Sequence, residues 1–159
     1  MNRVISYIAA DVEGMDPQQL VETLADAGYT GIDWTLEQFD PLNEAPGALR
    51  ELVGLAETAG LACPQLMIHQ DYVTSDPELW EERVQITERA LEAAAAAGIP
   101  TAGVVTGPNR WVPGWERPGE TLSESGCWDL AIKALDRALL TANRVGVRLC
   151  LEPCWGTLA

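Results

Sequence analysis

Glu152 is the residue that most clearly could do chemistry in this sequence. It ends an apolar run near the end of the chain, and strand alternation would point Cys150 and Glu152 to one face and Leu149 and Leu151 to the other. Pro153 cannot donate a ladder hydrogen bond, so pairing should stop there. An acid at the carboxyl end of a buried strand is typical of catalytic sites in parallel α/β proteins. Glu152 is therefore a candidate catalytic residue, and a solvated acid or an ion-pair partner is the alternative interpretation.

His69 is the second candidate, since it is the only histidine in the chain. It ends another apolar run and is followed by Gln70, Asp71 and Tyr72. A neutral imidazole there could orient a substrate hydroxyl or bind a metal. A purely structural, hydrogen-bonded histidine is the other interpretation.

Aromatic and polar side chains follow the remaining predicted strands. The set comprises Tyr7, Trp34, Glu37, Thr106, Asn109, Arg110 and Trp155. The long segment 107–122 adds Trp111 and Trp115, and it could be a lid that stacks on a sugar, or a loop whose tryptophans only pack it onto the body. Cys150, Glu152 and Cys154 could share a face, but their i, i+2, i+4 spacing is not typical of zinc sites.

The elements that must position these residues form a repeating pattern. Strands are predicted over residues 4–9, 31–36, 62–69, 101–106 and 147–152, and a helix separates each from the next. Glycines end the helices, and Asp-Pro pairs begin the first and the third helix. The third helix is predicted to run over residues 77–97. A fourth helix is predicted from about Trp128 to Val145, with Leu139 facing inward.

Strict strand–helix alternation predicts a parallel sheet with right-handed crossovers, as one partial domain over residues 1–159. An open doubly wound sheet and a (β/α)₈ barrel both fit. No Gly-x-Gly-x-x-Gly or Walker sequence supports nucleotide binding. A complete barrel needs about 250 residues, so this chain has room for only part of one.

Composition narrows the function classes. The chain has 159 residues and a net charge of −14 without a basic cluster, which disfavours nucleic acid and anionic membranes as partners. No apolar run is long enough to span a membrane, and the start lacks an apolar leader, so we expect a cytoplasmic protein. The four cysteines are then expected to be free thiols.

Three stretches together resemble the xylose isomerase-like sugar isomerase and epimerase superfamily. Residues 28–34 are similar to its second-strand signature, where an acid commonly stands at the position of Asp33. His69 ends the third strand, where that superfamily often has a histidine. Residues 147–153 resemble its fifth strand, whose final glutamate matches Glu152 and binds a divalent metal.

The resemblance implies the N-terminal portion of a TIM (β/α)₈ barrel, about four to five βα units. It also implies a single Mn²⁺, Mg²⁺ or Co²⁺ at the carboxyl face, with Glu152 as one ligand and the other ligands from strands six to eight. Thr106 stands where the endonuclease branch of the superfamily carries a histidine, which disfavours DNA repair.

The implied activity is a metal-dependent isomerisation or epimerisation of a sugar, sugar phosphate or polyol-derived keto compound through an enediolate. Glu152 would transfer the proton, His69 would orient a hydroxyl, and Tyr7, Trp34 and Trp111 would line the substrate pocket. An inosose-type dehydratase or a hydroxypyruvate-type isomerase is equally compatible. We expect residues 1–159 alone to be an incomplete, inactive part of such an enzyme. A half-barrel binding or structural module that pairs with another chain, or a homo-oligomer, is the alternative.

Overall fold

The computed structural model describes residues 3–10, 14–45, 47–108, 122–154 and 157–158. Within these ranges five strands alternate with four helices, as predicted. The strands are β1 (Ser6–Ile8), β2 (Gly31–Thr35), β3 (Leu66–Ile68), β4 (Thr101–Val104) and β5 (Arg148–Leu151). The helices are α1 (Pro17–Asp26), α2 (Ala48–Thr58), α3 (Pro77–Ala97) and α4 (Glu124–Val145). No helix in these ranges is long and apolar enough to cross a membrane.

The order of the strands decides between the two architectures. All strands are parallel, and each pairs with the next one along the chain, in the order β1-β2-β3-β4-β5. A doubly wound sheet reverses its strand order at one point, which puts helices on both faces. The described strands show no reversal, so right-handed crossovers place the helices on one face. Consecutive helices pack against each other there. The sheet is therefore an arc of a parallel (β/α) barrel.

Polar caps set the starts of three helices. The side chain of Asp16 accepts a hydrogen bond from a main-chain N–H in the first turn of α1, and Asp76 does the same for α3. Ser123 caps α4 through the amide of Gly126 at 3.1 Å. That cap places the start of α4 four residues before the predicted one. The predicted bounds of α3 are confirmed.

Strand β3 is shorter than the sequence predicts because an extra residue interrupts its pairing with β2. Ala62 pairs with Gly31 through an isolated bridge, and pairing resumes where Leu66 faces Trp34. Three residues on the β3 side (63–65) thus oppose two on β2 (32–33). One extra residue on one of two paired strands is what defines a β-bulge. Pro64 lies in the bulge, where its missing N–H costs no ladder bond.

The main hydrophobic core lies between the sheet and the helices. Its fully buried members include Ile32, Trp34, Leu49, Leu66, Ile68, Leu91 and Val104. Since Ile32 and Trp34 point into this core, Asp33 and Thr35 point to the opposite, concave face of the sheet.

The predicted burial is wrong in two elements, β5 and α4. Leu151 is 53% exposed and Leu149 only half-buried, because β5 lies at an edge of the described sheet and pairs with β4 alone. On α4, Leu139 is 47% exposed, and the small side chains of Ala131 and Ala138 make the buried contacts instead.

Candidate functional site

The two leading candidates, His69 and Glu152, both lie at the carboxyl ends of the sheet strands, just beyond β3 and β5. Ile68 pairs with Val104, and Val104 pairs with Leu151. His69 and Glu152 each stand one residue beyond these pairs. The main-chain N–H of Glu152 still donates to the Val104 carbonyl oxygen at 2.8 Å, so the ladder extends to it. Adjacent strands are about 4.8 Å apart, which puts the β3 and β5 backbones about 10 Å apart across β4.

The Glu152 side chain is exposed and interacts with its own loop. No described cationic side chain forms an ion pair with it, so the ion-pair interpretation finds no support among the described residues. Its carboxylate instead faces the Cys154 thiol. Burial raises the pKa of that thiol, and the charge and hydrogen bonding of Glu152 raise it further, because they disfavour a neighbouring thiolate.

Leu158, six residues after Glu152, is hydrogen-bonded to the residues that follow β4. The Thr106 hydroxyl lies 2.8 Å from the Leu158 carbonyl oxygen and 3.0 Å from that of Gly107. The Leu158 N–H donates to the Gly107 carbonyl oxygen at 2.9 Å. Glu152 is itself bonded to Val104, so both Glu152 and Leu158 bond to β4 or to the residues just after it. The Thr106 hydroxyl therefore serves this attachment at the position where a related branch has a histidine.

A buried acid, Asp71, joins the loops after β3 and β4. Its Oδ1 accepts the N–H of Val73 at 2.9 Å, and Arg83 donates to its main-chain oxygen at 2.7 Å. Gly107, with φ of +75°, lies directly against Asp71 and leaves no space for a Cβ atom. Asp71 thus shapes the strand-end loops from inside the protein.

Three aromatic residues, two of them from the predicted site, point toward the helices. The Tyr7 ring packs edge-on against Tyr29, with ring centroids 5.7 Å apart. Trp34 is fully buried in the main core, so it does not lie with the polar side chains at the strand ends. The Tyr72 hydroxyl lies 2.7 Å from Thr87 Oγ1, and burial raises the pKa of Tyr72. In all three cases apolar packing with the helix layer determines the direction of the ring.

Glu37 is exposed just after β2, where its main-chain N–H donates to Thr35 Oγ1 at 3.2 Å. Five other aromatic and polar candidates lie outside the described residues. They are Trp111, Trp115, Asn109, Arg110 and Trp155, and most of the predicted lid lies outside with them. Their roles stay predictions.

Sequence reasoning missed one polar pair on the concave face. Ser6 Oγ donates to Asp33 Oδ2 at 3.0 Å, and Asp33 is only 7% exposed. Burial raises the pKa of Asp33, and the hydrogen bond from Ser6 opposes that rise. The sequence held a signal for this placement, because Asp33 lies between the core residues Ile32 and Trp34 and must point away from them.

The described residues do not complete a metal site. No group of three or more His, Cys, Asp or Glu side chains among them could hold a metal ion. Cys150, Glu152 and Cys154 therefore do not form the site considered from their spacing. Glu152 and His69 have suitable ligand chemistry for a divalent cation, but two ligands are fewer than such sites use.

The singly wound parallel sheet, with an acid at the carboxyl end of β5, defines a TIM-type (β/α) barrel protein. The sequence matches the xylose isomerase-like TIM barrel family over residues 21–159. The chain belongs to this family. No curated protein matches it significantly.

Several solved structures share the fold at low identity. Mannonate dehydratase from Streptococcus suis serotype 2 superimposes with a TM-score of 0.68 at 17% identity, over 94% of this chain and 51% of that one. D-psicose 3-epimerase from Clostridium cellulolyticum H10 gives 0.67 at 16% identity, over 92% and 51%. 3-Keto-D-glucoside 4-epimerase from E. coli gives 0.68 at 16% identity, over 98% and 58%. The chain thus spans about half the length of these proteins.

Proposed function

We propose that this chain carries part of the active site of an isomerase or epimerase acting on a sugar, sugar phosphate or polyol-derived keto compound. The observation that carries the proposal is the placement of Glu152. It is an exposed carboxylate, fixed through its main chain to Val104, at the edge where TIM barrels hold their catalytic groups. Family membership and the likeness to two epimerases and a dehydratase support it.

Glu152 would act as the proton-transfer group. As a carboxylate it would remove the proton from the carbon next to the substrate carbonyl, and the C–H electron pair would form an enediolate. The proton would return to the adjacent carbon for isomerisation, or to the other face of the same carbon for epimerisation. His69, at the same edge, would orient a substrate hydroxyl. Trp111 remains the proposed aromatic wall of the pocket.

A divalent Mn²⁺, Mg²⁺ or Co²⁺ would polarise the carbonyl and acidify the neighbouring C–H when bound in the complete protein. The described residues would contribute Glu152 as one ligand. Since they supply no full ligand set, the 159-residue chain alone should not turn over substrate.

Proton removal next to a carbonyl also fits other activities in the family. An inosose-type dehydratase would expel a hydroxyl after the same first step, and a hydroxypyruvate-type isomerase would act on a smaller keto compound. The placement of Glu152 is equally compatible with each.

A non-catalytic half-barrel module that pairs with another chain is the second candidate. It is favoured by apolar side chains exposed at both sheet edges and on α4. Ile5 is 61% exposed, Leu151 53% and Leu140 71%. Such a module should be a stable dimer or hetero-complex by analytical ultracentrifugation.

Paramagnetic broadening by Mn²⁺ would test Glu152 without relying on activity. In ¹H–¹⁵N spectra of the 159-residue chain, the amide signals of Cys150, Leu151, Glu152 and Cys154 should broaden first. Glu152→Gln should remove that broadening, while Glu124→Gln, which removes an exposed carboxylate on α4, should preserve it. Equal broadening in the wild type and Glu152→Gln would refute the ligand role.

Solvent exchange would test the reaction. The chain is incubated with D-fructose or D-psicose and Mn²⁺ in D₂O, and deuterium at the carbon next to the carbonyl is measured. We expect none from the 159-residue chain. Robust exchange would show that its own residues are sufficient for turnover.

A further inference from the structure

A cavity lies on the helical side of the sheet, and we call it the Arg89 groove. It has a volume of about 450 Å³. One wall is the segment that joins β2 to α2, which contributes residues between Phe39 and Ala45. The other wall is one side of α3, from Gln85 to Ala96. No lining residue belongs to a strand, so the groove is separate from the concave face and from Glu152.

Both walls of the groove lie within the described arc of the barrel. The helix α3 packs against α2 on one side and against α4 on the other. Further βα units of a barrel would extend the sheet at its two edges, beyond β1 and β5. They would therefore lie away from α3, and the groove would keep its opening to solvent in a complete barrel.

Small side chains on α3 leave room in the groove for a ligand. Ala93 and Ala96 follow Arg89 at helical spacings of four and three residues, so the three share one side of α3. The apolar part of the lining comprises Phe39, Pro41, Leu42, Ala45, Ala93 and Ala96. Leu42 is 40% exposed, and an apolar ligand would remove part of that surface from water.

Two charged groups in the groove have unused hydrogen-bonding capacity. The Arg89 side chain is 65% exposed, and it donates to Glu92 Oε2 at 3.1 Å through Nη1 alone. Arg144 donates to the other oxygen of Glu92 at 2.8 Å. Two guanidinium groups thus share one carboxylate, which leaves one positive charge uncompensated. On the opposite wall, the Glu44 carboxylate forms no ion pair with any described residue.

We propose that the Arg89 groove binds a free amino acid with an apolar side chain. Arg89 binds the ligand carboxylate, a group that guanidinium pairs with well, and Glu44 binds the ligand ammonium. The apolar lining takes up the ligand side chain. Glu44 disfavours a ligand that carries only a carboxylate, and Arg89 disfavours one that carries only an ammonium. The cavity volume lies within the roughly 300–1,000 Å³ typical of small-molecule sites.

Titration of the 159-residue chain with L-phenylalanine, followed in ¹H–¹⁵N spectra, tests the proposal. Phenethylamine lacks the carboxylate and 3-phenylpropionate lacks the ammonium, so both serve as matched controls at equal ionic strength. We expect the amide signals of Leu42, Glu44 and Arg89 to shift with L-phenylalanine, and each control ligand to bind at least about tenfold more weakly. Equal binding of the three ligands, shifts confined to other residues, or no binding of L-phenylalanine would overturn the proposal.

Two charge variants separate the roles of the walls. Arg89→Gln and Glu44→Gln should each weaken L-phenylalanine binding at least about tenfold. Lys133→Gln and Glu124→Gln remove the same charges from exposed positions on α4, and each should change the affinity less than about twofold.

A steric variant tests the groove without changing any charge. Ala96 is exposed on α3, so Ala96→Leu should fold, fill part of the groove and weaken L-phenylalanine binding at least about tenfold. Unchanged affinity in Ala96→Leu, or in Arg89→Gln, would overturn the proposal. Glu152→Gln should leave this binding unchanged, so the result is independent of the proposed catalytic function.

Discussion

Thr106 and Leu158 are 52 residues apart in the chain, yet the Thr106 hydroxyl donates to the Leu158 carbonyl oxygen at 2.8 Å. Thr106 lies two residues beyond β4, and Leu158 lies six residues beyond Glu152. The Leu158 side chain also packs against Val73 and Cys127 in a small apolar cluster. These contacts attach Leu158 to the segment that follows β4 and to α4.

Removing the Thr106 hydroxyl should loosen that attachment. Thr106→Val keeps the shape but loses the donor, so the free energy of unfolding should fall by about 1–2 kcal/mol. Urea denaturation monitored by tryptophan fluorescence measures the change. Thr106→Ser, which keeps the hydroxyl, is the matched control and should lose less. An unchanged stability in Thr106→Val together with a loss in Thr106→Ser would mean that methyl packing, not the hydrogen bond, matters at this position.

The reactivity of Cys154 should report the position of Glu152. Burial raises the pKa of the Cys154 thiol, and the nearby Glu152 carboxylate raises it further. Glu152→Gln removes the negative charge, so the pKa should fall and the thiolate fraction at pH 8 should rise. Peptide-resolved iodoacetamide labelling should then show faster alkylation of Cys154, by about two- to tenfold.

Cys63 provides an internal reference in the same labelling experiment. Burial raises the pKa of its thiol to about 11, with a smaller opposing contribution from the Trp34 indole N–H. It should label slowly at pH 8 in both proteins. If Cys154 labels at the same rate with and without Glu152, the two side chains are not in contact in solution.

Gly107→Ala should destabilise the protein strongly. The residue has φ of +75°, and a Cβ atom would meet both the side chain and the backbone of the buried Asp71. We expect a loss of about 2 kcal/mol or more in the free energy of unfolding. Gly146→Ala is the matched control, because Gly146 has φ of +79° with open space around the Cβ position. It should lose only about 1 kcal/mol by the same urea titration.

Asp33→Asn should stabilise the unliganded protein at neutral pH. Burial raises the pKa of Asp33 above its ordinary value of 3.8, so the folded state favours the protonated acid and stability falls as pH rises through the raised pKa. The asparagine variant lacks this penalty. Its advantage should be on the order of 1 kcal/mol at pH 7.

Thermal unfolding between pH 3 and pH 8 checks the sign of that effect. The difference between Asp33→Asn and the wild type should shrink as pH falls below the ordinary pKa of 3.8, because the wild-type acid then becomes protonated in both the folded and the unfolded state. A difference that stays constant across this range would show that ionisation of Asp33 does not cause it.

Local patterns in the sequence determined much of this protein. The alternation of apolar runs with capped helices predicted the order of the elements and their parallel arrangement, and the caps at Asp16 and Asp76 were correctly placed. The same patterns placed His69 and Glu152 at strand ends. These features depend on neighbouring residues, so a single segment of sequence contains the necessary information.

The tertiary structure decided what depends on residues far apart in the chain. Strand order selected the barrel over the open sheet, because the same alternation is compatible with both. Packing against the helices turned Tyr7 and Trp34 toward the core, and strand pairing brought the buried Asp33 beside Ser6 on the concave face. The attachment of Thr106 to Leu158 likewise joins segments with no local relation. Such contacts depend on the register between strands and on the face of the sheet to which each side chain points. A one-residue shift in register would turn every side chain of a strand to the opposite face.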